Sequence, residues 1–125
     1  MKNKYKKLEA IYKKIPTIDC KGLCHGGCTI IVASKIERKR ARARLHTDVF
    51  KDPKDVKKII SNIDTGNIPD CKALKDKKCT IYNMRPAICR FYGVVEGMTC
   101  YFGCKPERLL TDREAGAILA EIDLL

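Results

Sequence analysis

Residues 78–93 read KCTIYNMRPAICRFYG, with Cys79 and Cys89 on either side of Arg85-Pro86. Tyr82 follows the first cysteine; Phe91 and Tyr92 follow the second. Proline removes a backbone donor and fixes φ, so a central Arg-Pro pair excludes a core strand. A solvated surface loop would not hold two thiols and three aromatics. The composition instead predicts short turns and loops folded around the cysteines.

The rest of the chain fits that reading. Its 125 residues suit one domain, 1–125, but there is no Trp and only 3 Phe and 5 Tyr. Eight cysteines supply much of the apolar fraction, which points to a modest core reinforced by cross-links or metal. The opening MKNKYKKLEAIYKKIP is charged and has no apolar run of signal-peptide length. No stretch reaches the roughly 20 apolar residues of a membrane span. The expected location is therefore cytoplasmic, where thiols stay reduced and clustered cysteines bind metal rather than form disulfides.

Helix signals flank the cysteines. Tyr5, Leu8, Ile11, Tyr12 and Ile15 fall near helical spacing over residues 2–14, and Pro16 ends that helix. TIDCKGLCHGGC, residues 17–28, reads as an irregular loop in which Gly26-Gly27 gives the backbone freedom. Ser34-x-x-Glu37 is a capping box that opens a basic helical region over about 34–63. Within it Asp52 and Pro53 start a further helix with Val56, Ile59, Ile60 and Ile63 on one face. DTGNIPD, 64–70, is a turn cluster, and 71–104 promise short helical turns and loops. Thr111-x-x-Glu114 opens a C-terminal helix over about 112–124, with Ala115, Ile118, Leu119 and Ile122 on its apolar side. The class is mostly α: a small single domain with irregular cysteine-rich loops organised around metal.

The candidate ligands are Cys20, Cys24, Cys28, Cys71, Cys79, Cys89, Cys100 and Cys104. The intervals 20–24, 24–28 and 100–104 each leave three intervening residues, not the two of a zinc knuckle. They also differ from the common ferredoxin runs. Ligating cysteines are thiolates, so several on one centre leave excess negative charge. Arg85 and Arg90, beside Cys89, are placed to offset it, with Pro86 fixing the turn and Tyr82, Phe91 and Tyr92 excluding water. Thiols that meet at one centre must converge, so Cys79 and Cys89 are expected near the Cys20–Cys28 group.

CTIYNMRPAICRFYG resembles the signature of a cysteine-cluster family of zinc- or iron-chelating domain proteins. Cys20, Cys24 and Cys28 look like that family's N-terminal group, and Cys71-Lys72-Ala73-Leu74 like its Cys-x-x-Leu. Cys79, Ile81, Tyr82, Arg85, Pro86 and Cys89 look like its Arg-Pro block, and Cys100 like its late cysteine. The resemblance covers about residues 18–104. Where the family has a Cys-Cys pair this chain has Gly27-Cys28, while Cys104 is additional. The cysteine-rich region is also similar to that of flagellin lysine N-methylases, which implies an iron–sulfur site. Methylase activity is not carried over, because the chain has no room for a methyl-donor domain and no Gly-rich nucleotide loop. Zn2+ and a [4Fe-4S] cluster both fit; the absent knuckle spacing and the methylase resemblance favour the cluster.

Other chemistries fit less well. Cys20-x3-Cys24-x3-Cys28 is similar to the cluster motif of radical enzymes, but its last interval is one residue too long. There is no Cys-x-x-Cys for a thioredoxin-like role. His25 reads as a loop residue or stand-in ligand and His46 as an exposed helix end, so no catalytic residue is assigned.

Charge adds a second theme. Residues 1–60 carry 17 Lys/Arg against 6 Asp/Glu and residues 61–125 nine against nine, so the net +11 lies in the first half. In KIERKRARAR, the candidate phosphate contacts are Arg38, Arg40, Arg42 and Arg44, with Glu37 the one acid among them. This predicts mainly electrostatic contact with nucleic acid or another acidic macromolecule. Few aromatics lie nearby in sequence, so base stacking is not expected from this run. The reading is a metal-binding cysteine-cluster protein whose metal is structural or supports binding. The alternatives are a basic nucleic-acid or nucleoprotein module stabilised by the metal, and a small redox or modification enzyme.

Overall fold

A computed structural model of the chain describes residues 2–17, 31–62, 71–76, 78–100 and 103–125. Cys20, Cys24, His25, Gly26, Gly27, Cys28, Ile63 and the 64–70 turn lie outside the described residues. The class is mostly α, as the sequence predicts. The elements are α1 (Lys2–Tyr12), α2 (Lys35–Leu45), α3 (Val56–Asn62), β1 (Leu74–Lys75), β2 (Lys78–Cys79), α4 (Ala87–Phe91) and α5 (Asp112–Asp123). Two 3₁₀ turns, Pro53–Asp55 and Tyr82–Met84, precede α3 and α4. The chain gathers into two compact units, one of Met1–Leu23 with Ala87–Leu125 and one of Cys24–Pro86.

In the first of these, α1 and α5 pack together. Pro16 disfavours a helical residue before it, so the end of α1 tightens. The Lys14 and Ile15 N–H groups donate to the carbonyls of Ile11 and Tyr12, three residues back. Leu8, Ile11, Tyr12 and Ile15 are buried, as are Ile118 and Ile122 of α5. The Thr111 box caps α5: the Glu114 N–H donates to Thr111 Oγ1 and the Thr111 N–H to Glu114 Oε1, each at 3.1 Å. After α4, with Phe91 buried, the chain turns at Gly93 (φ 82°). A parallel bridge, Val95 to Leu110, then ties the 104–110 segment back. The Leu110 N–H donates to the Val94 carbonyl at 2.7 Å and the Glu96 N–H to that of Leu110 at 2.9 Å.

The second unit is built around Ala33, Ala41, Val49, Phe50, Ala73 and Ile81. Ser34 caps α2 as its sequence predicts, and Glu37 is buried by it. Glu37 Oε1 accepts the Ser34 hydroxyl at 2.8 Å and the Ser34 N–H at 3.1 Å. His46 closes α2 in the left-handed region (φ 58°), donating its N–H to the Arg42 carbonyl; its side chain is exposed. A parallel bridge joins Val32 and Lys51. Asp52 then accepts the Lys54 N–H at 3.1 Å, and Pro53 leads a 3₁₀ turn before α3 begins at Val56. The helix predicted from Asp52 thus opens in the tighter form, which is common at helix starts.

Candidate metal centre

The predicted turns of 71–104 contain a feature that periodicity did not signal, a two-stranded hairpin with Leu74 opposite Cys79 and Lys75 opposite Lys78. Each strand is two residues long, too short for alternation to show. Asp76 takes the left-handed conformation (φ 49°) that lets the chain reverse. The Thr80 N–H and hydroxyl both donate to the Ala73 carbonyl, at 2.8 and 2.7 Å, and extend the pairing past the strand end. Ala73, only 1% exposed, belongs to the core cluster. This pairing sets Cys79 opposite Leu74, three residues after Cys71.

Both are free thiols, half-buried, and packed against the same apolar cluster. Burial pushes the Cys71 thiol above its ordinary range, and the neighbouring Cys79 adds to that. Hydrogen bonds from the backbone N–H groups of Ala73 and Leu74 work the other way, favouring the thiolate. The Leu74 N–H also closes the Cys-x-x-Leu stretch into a turn, donating to the Cys71 carbonyl at 2.9 Å. Sequence reading expects backbone N–H groups and cationic side chains to play this compensating role, and names only Arg85 and Arg90 for it.

Cys89, on α4, and Cys104 are half-buried and Cys100 is buried, all three in the first compact unit. Gly103 (φ 83°) donates its N–H to the Cys100 carbonyl at 3.1 Å. Among the described residues, no three His, Cys, Asp or Glu side chains converge on a point that could hold a metal. The expected meeting of Cys79 and Cys89 with Cys20–Cys28 involves residues outside the described ones. What the described residues offer is a thiol pair, chemically suited to a soft or borderline metal and supported by backbone donors, which fits part of a ligand set.

The residues expected around the metal are placed as follows. Pro86 is fully buried and α4 starts just after it. The Arg85 guanidinium lies over the Tyr82 ring, 3.8 Å from its centroid, while Arg85 Nε donates to the Tyr82 carbonyl at 3.0 Å. Tyr82 is 57% exposed, so it does not seal a site from water as predicted; the 3₁₀ turn carries its ring outward. Phe91 is buried and Tyr92 half-buried. Arg90 stacks on Tyr12, 3.9 Å from the ring centroid.

A model of the family described as "CxxCxxCC: Putative zinc- or iron-chelating domain" matches residues 19–118. The chain belongs to this family. No curated protein and no solved structure matches it. The match takes in all eight cysteines, so the CxxCxxCC domain spans both compact units. Among the described residues, Cys71 and Cys79 fall in one unit and Cys89, Cys100 and Cys104 in the other.

The basic helix of this CxxCxxCC chain is less uniform than its sequence suggests. Arg38 donates from Nε to the Ala33 carbonyl at 3.2 Å and pairs with Asp52 at 3.3 Å. Arg42 pairs with Asp48 at 2.7 Å, Arg40 is half-buried and Arg44 is exposed. Asp48 and Asp52 lie beyond the helix, which is why the run looked balanced by Glu37 alone. Asp52 is held below its ordinary carboxylate range by the Lys54 N–H and by the charges of Arg38 and Lys54.

Proposed function

We propose that this protein is a thiolate metal-binding module in which the metal organises the fold and takes no part in a reaction. The observation that carries this reading is the pair Cys71 and Cys79 at the 74–79 hairpin: two half-buried free thiols packed against one apolar cluster. Such a pair disfavours its own ionisation, and a bound cation or cluster would supply the positive charge that both sulfurs lack. The family assignment supports zinc or iron as the class of metal. Within that class we favour a [4Fe-4S] cluster over Zn2+, on the absence of two-residue cysteine spacing. Cys20, Cys24, Cys28, Cys89, Cys100 and Cys104 are the other candidate ligands, Cys104 being additional to the family pattern where Gly27 lacks its cysteine. The reading includes a reducing, cytoplasmic setting. No helix among the described residues is long and apolar enough to cross a membrane.

Anaerobic purification followed by elemental analysis and an absorption spectrum tests it. Iron with acid-labile sulfide and visible absorption supports the cluster, whereas stoichiometric zinc in a colourless protein supports the zinc form. Protein that holds neither metal as purified and gains no stability when loaded with either overturns the proposal.

A further inference from the structure

Residues 31–62 hold ten Lys/Arg against four Asp/Glu. Three of those acids are already committed. Glu37 is buried in the α2 cap, Asp48 holds Arg42, and Asp52 holds Arg38 and, at 3.7 Å, Lys54. The structure thereby separates cations that brace the unit from cations that serve no acid. Lys39 and Arg44 of α2 and Lys57 and Lys58 of α3 are exposed, and none is ion-paired among the described residues. The same unit exposes Tyr82, its ring backed by the Arg85 guanidinium at 3.8 Å.

We propose that this unit binds single-stranded nucleic acid, with Lys39, Arg44, Lys57 and Lys58 on phosphates and a base stacked at the Tyr82–Arg85 pair. A cationic groove or face with an exposed aromatic is the usual equipment for sequence-tolerant single-strand binding, because every base has a π-face to offer. A duplex keeps its bases stacked internally and has none to give the ring. The surface does not suit a bilayer. The exposed residues of α2 are Lys35, Lys39, Arg42, Ala43 and Arg44, and among the described side chains of α3 they are Lys57, Lys58 and Ser61. A membrane-surface helix needs large apolar side chains on the face it presents, and among the described side chains neither helix exposes one. This inference stands independently of which metal the protein holds.

The experiment uses the full, metal-loaded chain and a labelled single-stranded RNA of about 20 nucleotides, long enough to exceed one site of roughly 4–16. Affinity is measured against salt for wild type, for the Lys39→Gln, Arg44→Gln, Lys57→Gln, Lys58→Gln quadruple variant and for Tyr82→Ala. Each single-strand phosphate contact contributes about 0.7 to the slope of log affinity against log salt, so the quadruple variant should flatten it by about 2 to 3 units. Tyr82→Ala should weaken binding at least about fivefold without changing the slope, since stacking releases no counterion. Far-UV circular dichroism checks that the variants, all at exposed sites, stay folded. No RNA binding at about 50 mM salt, or equal slopes for wild type and quadruple variant, overturns the proposal. So does unchanged affinity in Tyr82→Ala, competition by polyglutamate equal to that by RNA at matched charge, or binding confined to phosphatidylserine vesicles.

Discussion

Replacing Cys79 by Ser separates a ligand role from a packing role. Cys79 is half-buried opposite Leu74 and touches the Ala33, Ala41, Val49, Phe50, Ala73, Ile81 cluster. A hydroxyl there in place of a thiol costs about 1 kcal/mol, the lower end for burying a polar group without a dedicated partner. In metal-free protein that is the whole effect. In loaded protein the variant also loses a ligand. Weakening metal affinity by about 100-fold removes about 2.7 kcal/mol of linked stability when metal is in excess, for a total near 4 kcal/mol. At about 4 °C per kcal/mol for a chain of this size, Tm should fall by roughly 15 °C in loaded protein and roughly 4 °C in stripped protein. The assay is thermal melting by circular dichroism on wild type and Cys79→Ser, each with a fixed excess of metal and each with chelator. Metal content is measured on the same samples. Equal losses in both conditions, with wild-type stoichiometry retained, would refute the assignment of Cys79 as a ligand.

Three further outcomes are expected. Ser34→Ala should cost about 2 kcal/mol in urea unfolding, because it removes a cap and a donor to the buried Glu37, whereas Thr111→Ala at the less buried box should cost about 1 kcal/mol; the reverse order would contradict the burial argument. Glu114 is held down to about 2 by its hydrogen-bonded ion pair with Arg108 and by the Thr111 N–H. A depressed carboxylate contributes stability above its unfolded pKa of about 4.5 and loses it as pH falls toward 2, so the Tm gap between wild type and Glu114→Gln should be full at pH 5 and shrink steadily below it. Gly103→Ala places a Cβ in open space but forces a left-handed residue, so its cost should be about 1–2 kcal/mol of conformational strain; an unchanged Tm would contradict the strain argument.

The helix starts were legible because capping is local chemistry. Ser34 with Glu37 and Thr111 with Glu114 sit three residues apart, and no distant part of the chain is needed to satisfy them. Pro16 likewise announces the end of α1 by itself. The family, too, was legible, since the Arg-Pro block and the Cys-x-x-Leu keep their spacing along the chain. Tertiary structure decided what those segments do. It folded 74–79 into a hairpin too short to show a period, and packed Cys71 and Cys79 against one apolar cluster. It brought Asp48 and Asp52 back onto an arginine run that looked unopposed, and left Lys39 and Arg44 unmatched instead. It also turned Tyr82 to solvent under Arg85, where aromatic composition had suggested a core residue. Local sequence encodes which residues cap, break or ligate; the partner of each thiol and each charge is set by long-range packing, which brings together side chains whose spacing along the chain carries no signal of their meeting.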